Sequence, residues 1–266
     1  MKEQDIKKAV RENYAKVAVN SSCCCSGQAT SCCGQPGMEK EIGSKIGYSD
    51  KDMEKVPEGS NLGLGCGNPI ALASIKKGEV VLDLGSGAGF DCFLAADKVG
   101  TEGKVIGVDM TPEMIEKARG NAKKSGYKNI EFRLGEIENL PVENGSIDLI
   151  ISNCVVNLSP DKDKVFKEAH RVLKPGGRIM VSDIVLTKEL PDYIKNNTLA
   201  YVGCVSGAIL KESYLKTIEK AGFKNIKVFD EGNFPIEFIN NELPGIVGSA
   251  LEKSVLSIKV SAIKGE

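Results

Sequence analysis

Two sets of residues in this 266-residue chain have types and spacings that can do chemistry. The first is Val80 to Asp91, VVLDLGSGAGFD, where apolar and β-branched residues run through Asp83 to glycines at 85, 87 and 89. An amphipathic run begins at Phe90, so the stretch reads as strand, glycine turn and helix, the opening of an α/β nucleotide-type site. Gly85 and Gly87 let the backbone approach a ligand closely, and Gly89 lets the helix pack against the strand. The second set is sulfur. There are nine cysteines, one histidine and no tryptophan, so a site for a soft ion has to be built from thiols. Cys92, in GFDCFLAA, reads as a small buried hydrophobe. Cys66 in GLGCGNP and Cys204 in YVGCVSGA sit among glycines, which predicts irregular, accessible backbone at both and a flexible loop at Cys66. Cys154, in ISNCVVNLS, follows a strand.

The elements that position these residues alternate along the chain. Apolar residues at 6, 10, 14 and 17 predict an amphipathic helix over 3–19. Residues 21–37, SSCCCSGQATSCCGQPG, have no periodicity and read as a mobile loop without ligand. Ser49 caps a short helix, and Asn68-Pro69 opens another that ends at Gly78. Strands are predicted over 79–84, 104–109, 129–134, 147–152 and 178–184, with helices over 89–99, 112–125 (capped by Thr111) and 161–173. Such alternation means a parallel sheet with helices on both faces. Beyond Leu186 the pattern gives a helical region over 189–200, a helix over 212–221 and an antiparallel pair of strands over 225–230 and 255–263. Residues 235–254 carry no placeable pattern.

Ligands of an open parallel sheet collect outside the carboxyl ends of the strands. Gly85, Asp109, Glu136, Asn153 and Cys154 all follow or end predicted strands and therefore share one rim. Asp109, closing KVIGVDM, is placed to accept hydrogen bonds from ribose hydroxyls. Glu136 alone reads as a solvated loop carboxylate, but after the glycine turn and Asp109 it reads as a ligand contact. His170 lies within KVFKEAHRVLK and reads as a packing residue rather than a base. A net charge of −1 provides no broad basic field for nucleic acid. No apolar run approaches the ~20 residues of a membrane span, so a soluble, cytoplasmic protein is expected.

The spacing DLGSGAG resembles motif I of the S-adenosylmethionine-dependent methyltransferases rather than the dinucleotide fingerprint. Together with Asp109, GEIENLP, SNCV and GCVSGA, it resembles the arsenite S-adenosylmethionine methyltransferase family from Tyr14 to about Ala208. The resemblance implies a Rossmann-like class I methyltransferase sheet, α/β with helices on both faces, plus an N-terminal segment and a C-terminal lobe. It divides the chain into 1–78 (helix, Cys-rich loop and cap), 79–185 (cofactor-binding core) and 186–266 (arsenic-binding lobe and final strands). It implies that Cys66, Cys154 and Cys204 bind trivalent arsenic and are the catalytic residues. S-adenosylmethionine would be held by Tyr14, Asp83, Gly85, Gly87, Asp109, Met110, Glu136, Ile137 and Asn153.

The substrate would be arsenite or its thiol conjugates, with glutathione or thioredoxin as reductant, in a monomer with neither nucleic-acid nor membrane partners. Arsenic's lone pair would attack the sulfonium methyl, a reaction that depends on alignment more than on a base. Cysteines 23, 24, 25, 32 and 33 crowd a segment where the family resemblance implies fewer, and their role stays open. Two other readings stand beside this one: methylation of a quinone-like carbon or oxygen acceptor, and a thiol-based metalloid- or zinc-binding protein without catalysis.

Overall fold

A computed structural model describes residues 3–20, 38–234 and 254–265. The expected mobile loop at 21–37, its five cysteines and residues 235–253 lie outside the described residues.

In chain order the helices before the sheet are α1 (Glu3–Asn20), α2 (Met38–Lys45), α3 (Asp50–Lys55) and α4 (Pro69–Leu72). Then follow β1 (Val80–Leu84), α5 (Phe90–Val99), β2 (Lys104–Asp109), α6 (Pro112–Lys124), β3 (Ile130–Leu134), β4 (Ile147–Asn153), a 3-10 turn (Val156–Leu158), α7 (Lys162–Val172) and β5 (Leu173–Leu186). The chain closes with α8 (Asp192–Lys195), α9 (Thr198–Val202), α10 (Lys211–Lys220), β6 (Phe223–Asn233) and β7 (Val255–Lys264). The seven strands among the described residues form one sheet in the order β3-β2-β1-β4-β5-β7-β6. β1 to β5 are parallel, and β7 inserts antiparallel between β5 and β6. The strand order reverses between β1 and β4, which opens a crevice at their carboxyl ends.

Side-chain alternation along β1 explains why both sheet faces are covered. Val81 points into a core with Phe93, Ile115 and Leu149, while Leu82 points into the opposite core with Ile150, Phe166 and Tyr214. Phe166 of α7 meets Tyr214 of α10 edge to face at 5.6 Å, joining those helices on one side. A third cluster joins Val10 of α1 and Tyr201 of α9 to Cys66, Cys154 and Cys204.

Four local expectations are corrected. α4 ends at Leu72 rather than Gly78, because Ser74 takes a left-handed φ of 46° and the carbonyls of Ala73 and Ser74 turn to accept from Arg178. The region 189–200 breaks into α8 and α9, with Asn197 capping the second through the backbone N–H of Ala200. β5 starts before the Pro175-Gly176-Gly177 turn, and its register with β4 shifts there. The Thr111 side chain makes no capping bond; its backbone N–H instead donates to Asp109 Oδ1 at 2.8 Å. The capping box at Ser49 and Asp52 forms as a reciprocal pair. The expected division at 185 falls inside β5, and β6 and β7 belong to the same sheet as the core strands.

Candidate active site

The crevice between β1 and β4 deepens into an open cavity of about 1110 Å³, its solvent-filled mouth included. Its floor is the turn after β1. Gly85, Gly87 and Gly89 all have positive φ, and a Cβ at Gly85 would strike Val155 Cγ2 at 2.3 Å. A Cβ at Gly87 would meet nothing within 4 Å, so backbone is presented to open space there. Asp109 fastens this turn, its Oδ2 accepting the Gly87 N–H at 2.9 Å. Ser86 Oγ is buried on the floor without a hydrogen-bond partner among the described residues.

The wall is acidic. Asp83, Asp91, Asp109 and Glu138 line the cavity. Burial raises the pKa of Asp83 and Asp91, and the charge of Asp91 raises Asp83 further. Burial also raises Asp109. Cys92 is fully buried as expected, with its thiol donating to Asp83 Oδ2 at 3.2 Å. S-adenosylmethionine carries a sulfonium and an ammonium, so a cavity in which Asp83, Asp91 and Asp109 form no ion pair among the described residues fits it. The Gly87 backbone and orphaned Ser86 hydroxyl fit a polar ligand resting on that floor.

Of the residues expected at the cofactor, Tyr14, Asp83, Gly85, Gly87, Asp109, Met110, Ile137 and Asn153 line this cavity. Glu136 does not line it. Its carboxylate is partly exposed and pairs with Lys7 at 2.9 Å and Arg11 at 3.5 Å. The acid that faces the cavity from this loop is Glu138, which accepts from Ser159 Oγ at 2.6 Å and pairs with Lys7 at 3.1 Å. Lys7 thereby ties α1 across the opening, and Tyr14, two turns further along the same helix, donates to the Val202 carbonyl at 3.4 Å.

Asn153 lines the cavity with its polar atoms already engaged. Its Oδ1 accepts the backbone N–H groups of Cys66 and Gly67 at 3.0 and 3.3 Å, and its Nδ2 donates to the Gly67 carbonyl at 2.8 Å. Nδ2 also approaches Tyr48 Oη at 3.0 Å and Asp91 Oδ2 at 3.2 Å, while Tyr48 donates to Asp91 Oδ1 at 2.6 Å.

This changes the reading of the Cys66 loop. The glycines beside Cys66 serve close approach rather than flexibility: a Cβ at Gly65 would lie 2.7 Å from Asn153 Nδ2, and one at Gly67 2.8 Å from Ser182 Cβ. Ser257 of β7 donates to the Cys66 carbonyl at 2.9 Å.

The three expected thiols converge in one buried cluster, of which Cys154 alone lines the cavity. Cys66, Cys154 and Cys204 are 4, 5 and 4 % exposed, so the accessible backbone expected at Cys66 and Cys204 is instead packed away. The Cys204 thiol donates to the Cys154 carbonyl at 2.9 Å, and the Cys66 thiol faces the Ser182 carbonyl at 3.6 Å. Cys154 and Cys204 both hold left-handed backbone, with φ of 62° and 66°. That conformation costs a residue with a Cβ roughly 1–2 kcal/mol. Burial pushes the Cys66 thiol up to about 11 and Cys154 well above the usual thiol range. Sharing a hydrogen bond with Cys154, and then burial, does the same for Cys204.

Below the thiols lies Asp183, which sequence reading missed. It is fully buried, its Oδ1 accepting from Asn157 Nδ2 at 2.8 Å and Ile184 N–H at 2.9 Å, its Oδ2 from Tyr214 at 3.0 Å. Burial raises it to about 7. His170 stands far from this chemistry, edge-on to Phe223 at 5.3 Å.

Residues 75–222 match the methyltransferase domain family. An arsenite methyltransferase of Halobacterium salinarum is 47% identical over 230 residues, covering 85% of this chain and 59% of that protein. An arsenite methyltransferase of Aquipseudomonas alcaligenes is 35% identical over 91% of this chain and 68% of its own length. The chain belongs to the arsenite methyltransferase family. A solved family structure, an arsenic(III) S-adenosylmethionine methyltransferase from Chlamydomonas reinhardtii, superposes with a TM-score of 0.66 at 34% identity, covering 87% of this chain and 75% of that one. The fold is that of a class I S-adenosylmethionine-dependent methyltransferase, as family membership requires. This chain thus spans somewhat under two thirds of the Halobacterium relative it matches. Among the described residues no helix is long and apolar enough to cross a membrane.

Proposed function

We propose that this protein methylates trivalent arsenic, first arsenite and then methylarsenite, using S-adenosylmethionine. The observation that carries the reading is the convergence of Cys66, Cys154 and Cys204, from three separate segments, on one buried cluster that Cys154 joins to the cavity. Trivalent arsenic is soft, has three exchangeable positions and keeps a lone pair opposite its ligands, so three thiols match it. Raised thiol pKa values do not oppose capture. Each thiol proton leaves with an arsenite hydroxide as water, so no free thiolate has to be made first.

S-adenosylmethionine supplies an electrophilic methyl on a sulfonium. The residues that would hold it are the Gly85–Gly87 turn, Asp109, Met110 and Ile137, with Asp83 and Glu138 as acidic wall. Tyr14 and Lys7 close α1 over the front and exclude water. The thiols hold arsenic so that its lone pair faces the cavity, and alignment rather than acid-base catalysis drives transfer. The transfer formally oxidises arsenic by two electrons, so a thiol reductant, glutathione or a thioredoxin-like protein, has to supply a pair for each cycle. Such a site needs reduced cysteines, which favours the cytoplasm. A monomer suffices, because all three thiols come from one chain.

The test is transfer of a tritiated methyl to arsenite, with a catechol and a quinol as control acceptors. Label appearing on arsenic only is the expected result. Label on the organic acceptors alone would replace this reading with quinone-type methylation.

A further inference from the structure

The thiol site contains a donor that arsenic does not need. Cys66 Sγ, Cys154 Sγ and a carboxylate oxygen of Asp183 all lie within 4.8 Å of one another. We propose that these three side chains form a site for a thiophilic divalent cation of the zinc or cadmium class, which competes with arsenite for the same thiols.

Three observations support it. The first is the donor set. Two sulfurs and a carboxylate oxygen suit a soft to borderline, four-coordinate ion and exclude magnesium and calcium, which take oxygen alone. The Cys204 thiol, now on the Cys154 carbonyl, is next in line as a fourth ligand. Metal–sulfur bonds of ~2.3 Å put tetrahedral sulfurs ~3.8 Å apart, so donors no more than 4.8 Å apart have only about 1 Å to close.

The second is the way Asp183 is held. Asn157, the Ile184 N–H and Tyr214 orient both carboxylate oxygens, as partners behind a ligating carboxylate do. Asn157 Oδ1 is buried without a donor among the described residues, while its Nδ2 donates to both Asp183 and the Ile184 carbonyl. The third is charge. Two thiolates and a carboxylate carry three negative charges, and Lys162, whose charge reaches Asp183, removes one. A divalent ion balances the remainder.

Binding releases to solvent one proton from each of the Cys66 and Cys154 thiols as two metal–sulfur bonds form, and from Asp183, which burial raises to about 7, any proton its carboxyl still holds. Nothing is oxidised or reduced. Arsenite differs, since its hydroxides carry the thiol protons away as water. The cation site does not depend on the methyl-transfer reading; only the competition with arsenite does.

The experiment uses the full chain with cysteines 23, 24, 25, 32 and 33 changed to serine, titrated anaerobically with Co²⁺ as the spectroscopic probe and then with Zn²⁺ in competition. The expected result is one Co²⁺ per chain, with intense visible bands of a tetrahedral site and near-ultraviolet thiolate-to-cobalt charge transfer. Asp183→Asn, whose amide can still bond Tyr214, should weaken Co²⁺ at least ~tenfold. Arsenite retention, measured by filtration and elemental analysis, should stay within ~threefold of the parent, because three thiols fill the positions of arsenic and Asp183 is not among its ligands.

An octahedral spectrum, no Co²⁺ bound, or equal Co²⁺ affinity in Asp183→Asn would overturn the proposal. Should Asp183→Asn fail to fold, Cys66→Ser keeps it testable, because the same spectrum in that variant would also overturn it. Saturating arsenite should abolish the cobalt spectrum. If arsenite binds and the spectrum persists, the shared site is wrong; if arsenite does not bind but cobalt does, the cation site stands and the arsenic reading fails.

Discussion

Asn153 Oδ1 accepts the backbone N–H of Cys66 at 3.0 Å, across 87 residues of sequence. The end of the strand beside the glycine turn therefore holds the loop that carries one thiol, and Asn153 is a positioning residue for sulfur as well as part of the cavity wall. Asn153→Ala should leave the Cys66 and Gly67 N–H groups unpaired, at about 1–3 kcal/mol of stability for a buried group. Arsenite affinity should fall more than cofactor affinity. Calorimetry with S-adenosylmethionine alongside arsenite retention checks this, and a loss confined to the cofactor would show that Asn153 serves the cofactor directly.

Asp109 both ends β2 and receives the Gly87 N–H. Asp109→Ala should weaken S-adenosylmethionine by at least ~1 kcal/mol, because the turn loses its fastening and, in the proposed cofactor site, the ribose would lose its acceptor. Unchanged affinity by calorimetry would remove Asp109 from the cofactor site.

The thiols should divide by substrate. Methylarsenite has two exchangeable positions, so one of three thiols becomes dispensable. Cys154 and Cys204 are linked directly and both hold left-handed backbone, which favours them as the essential pair. Cys66→Ser should abolish methylation of arsenite and spare methylarsenite, while Cys154→Ser or Cys204→Ser should abolish both. Activity of Cys204→Ser on methylarsenite would show that the pair is chosen wrongly.

Asp183 gives a stability signature. Burial lifts it from the ordinary aspartate value of 3.8 to about 7 in the folded state, so between those pH values the unfolded chain releases a proton that the folded chain keeps. Stability from this group is full below pH about 4 and is lost as pH rises toward about 7, with no further change above. Asp183→Asn removes that slope. Denaturant melts of both proteins from pH 4 to 8 should show the wild type losing ground to the variant as pH rises and levelling off near 7. A constant difference would place the Asp183 pKa near its ordinary value.

Most of the sheet was legible because β1, β2 and β4 carry buried residues on both faces and read as apolar runs between glycines. The thiol trio was legible through the family resemblance, although the glycines around Cys66 misled. A glycine required for close approach and one required for flexibility look alike in sequence, and only Asn153 and Ser182 pressed against 65 and 67 distinguish them. GEIENLP showed an acid near the cavity but not which one, since Glu136 and Glu138 differ only in which way a tight turn aims them. Tyr48, Asp183 and Tyr214 carried no local signal at all. Their side-chain hydrogen-bond partners lie 26 to 105 residues away.

The Ser257 bond to the Cys66 carbonyl spans 191 residues, and it has a consequence for the order in which the chain can be built. β7 lies between β5 and β6, so β6 cannot join the sheet until β7, which follows it in the chain, has taken its place between them. Contacts this distant in sequence close late, after loops that must first lose their entropy. The parallel strands β1 to β5, with the cofactor turn among them, can assemble on the ribosome before β7 emerges. The Cys66 loop gains its last anchor only afterwards, so a nascent chain would have a cofactor floor before it has a finished trap for arsenic.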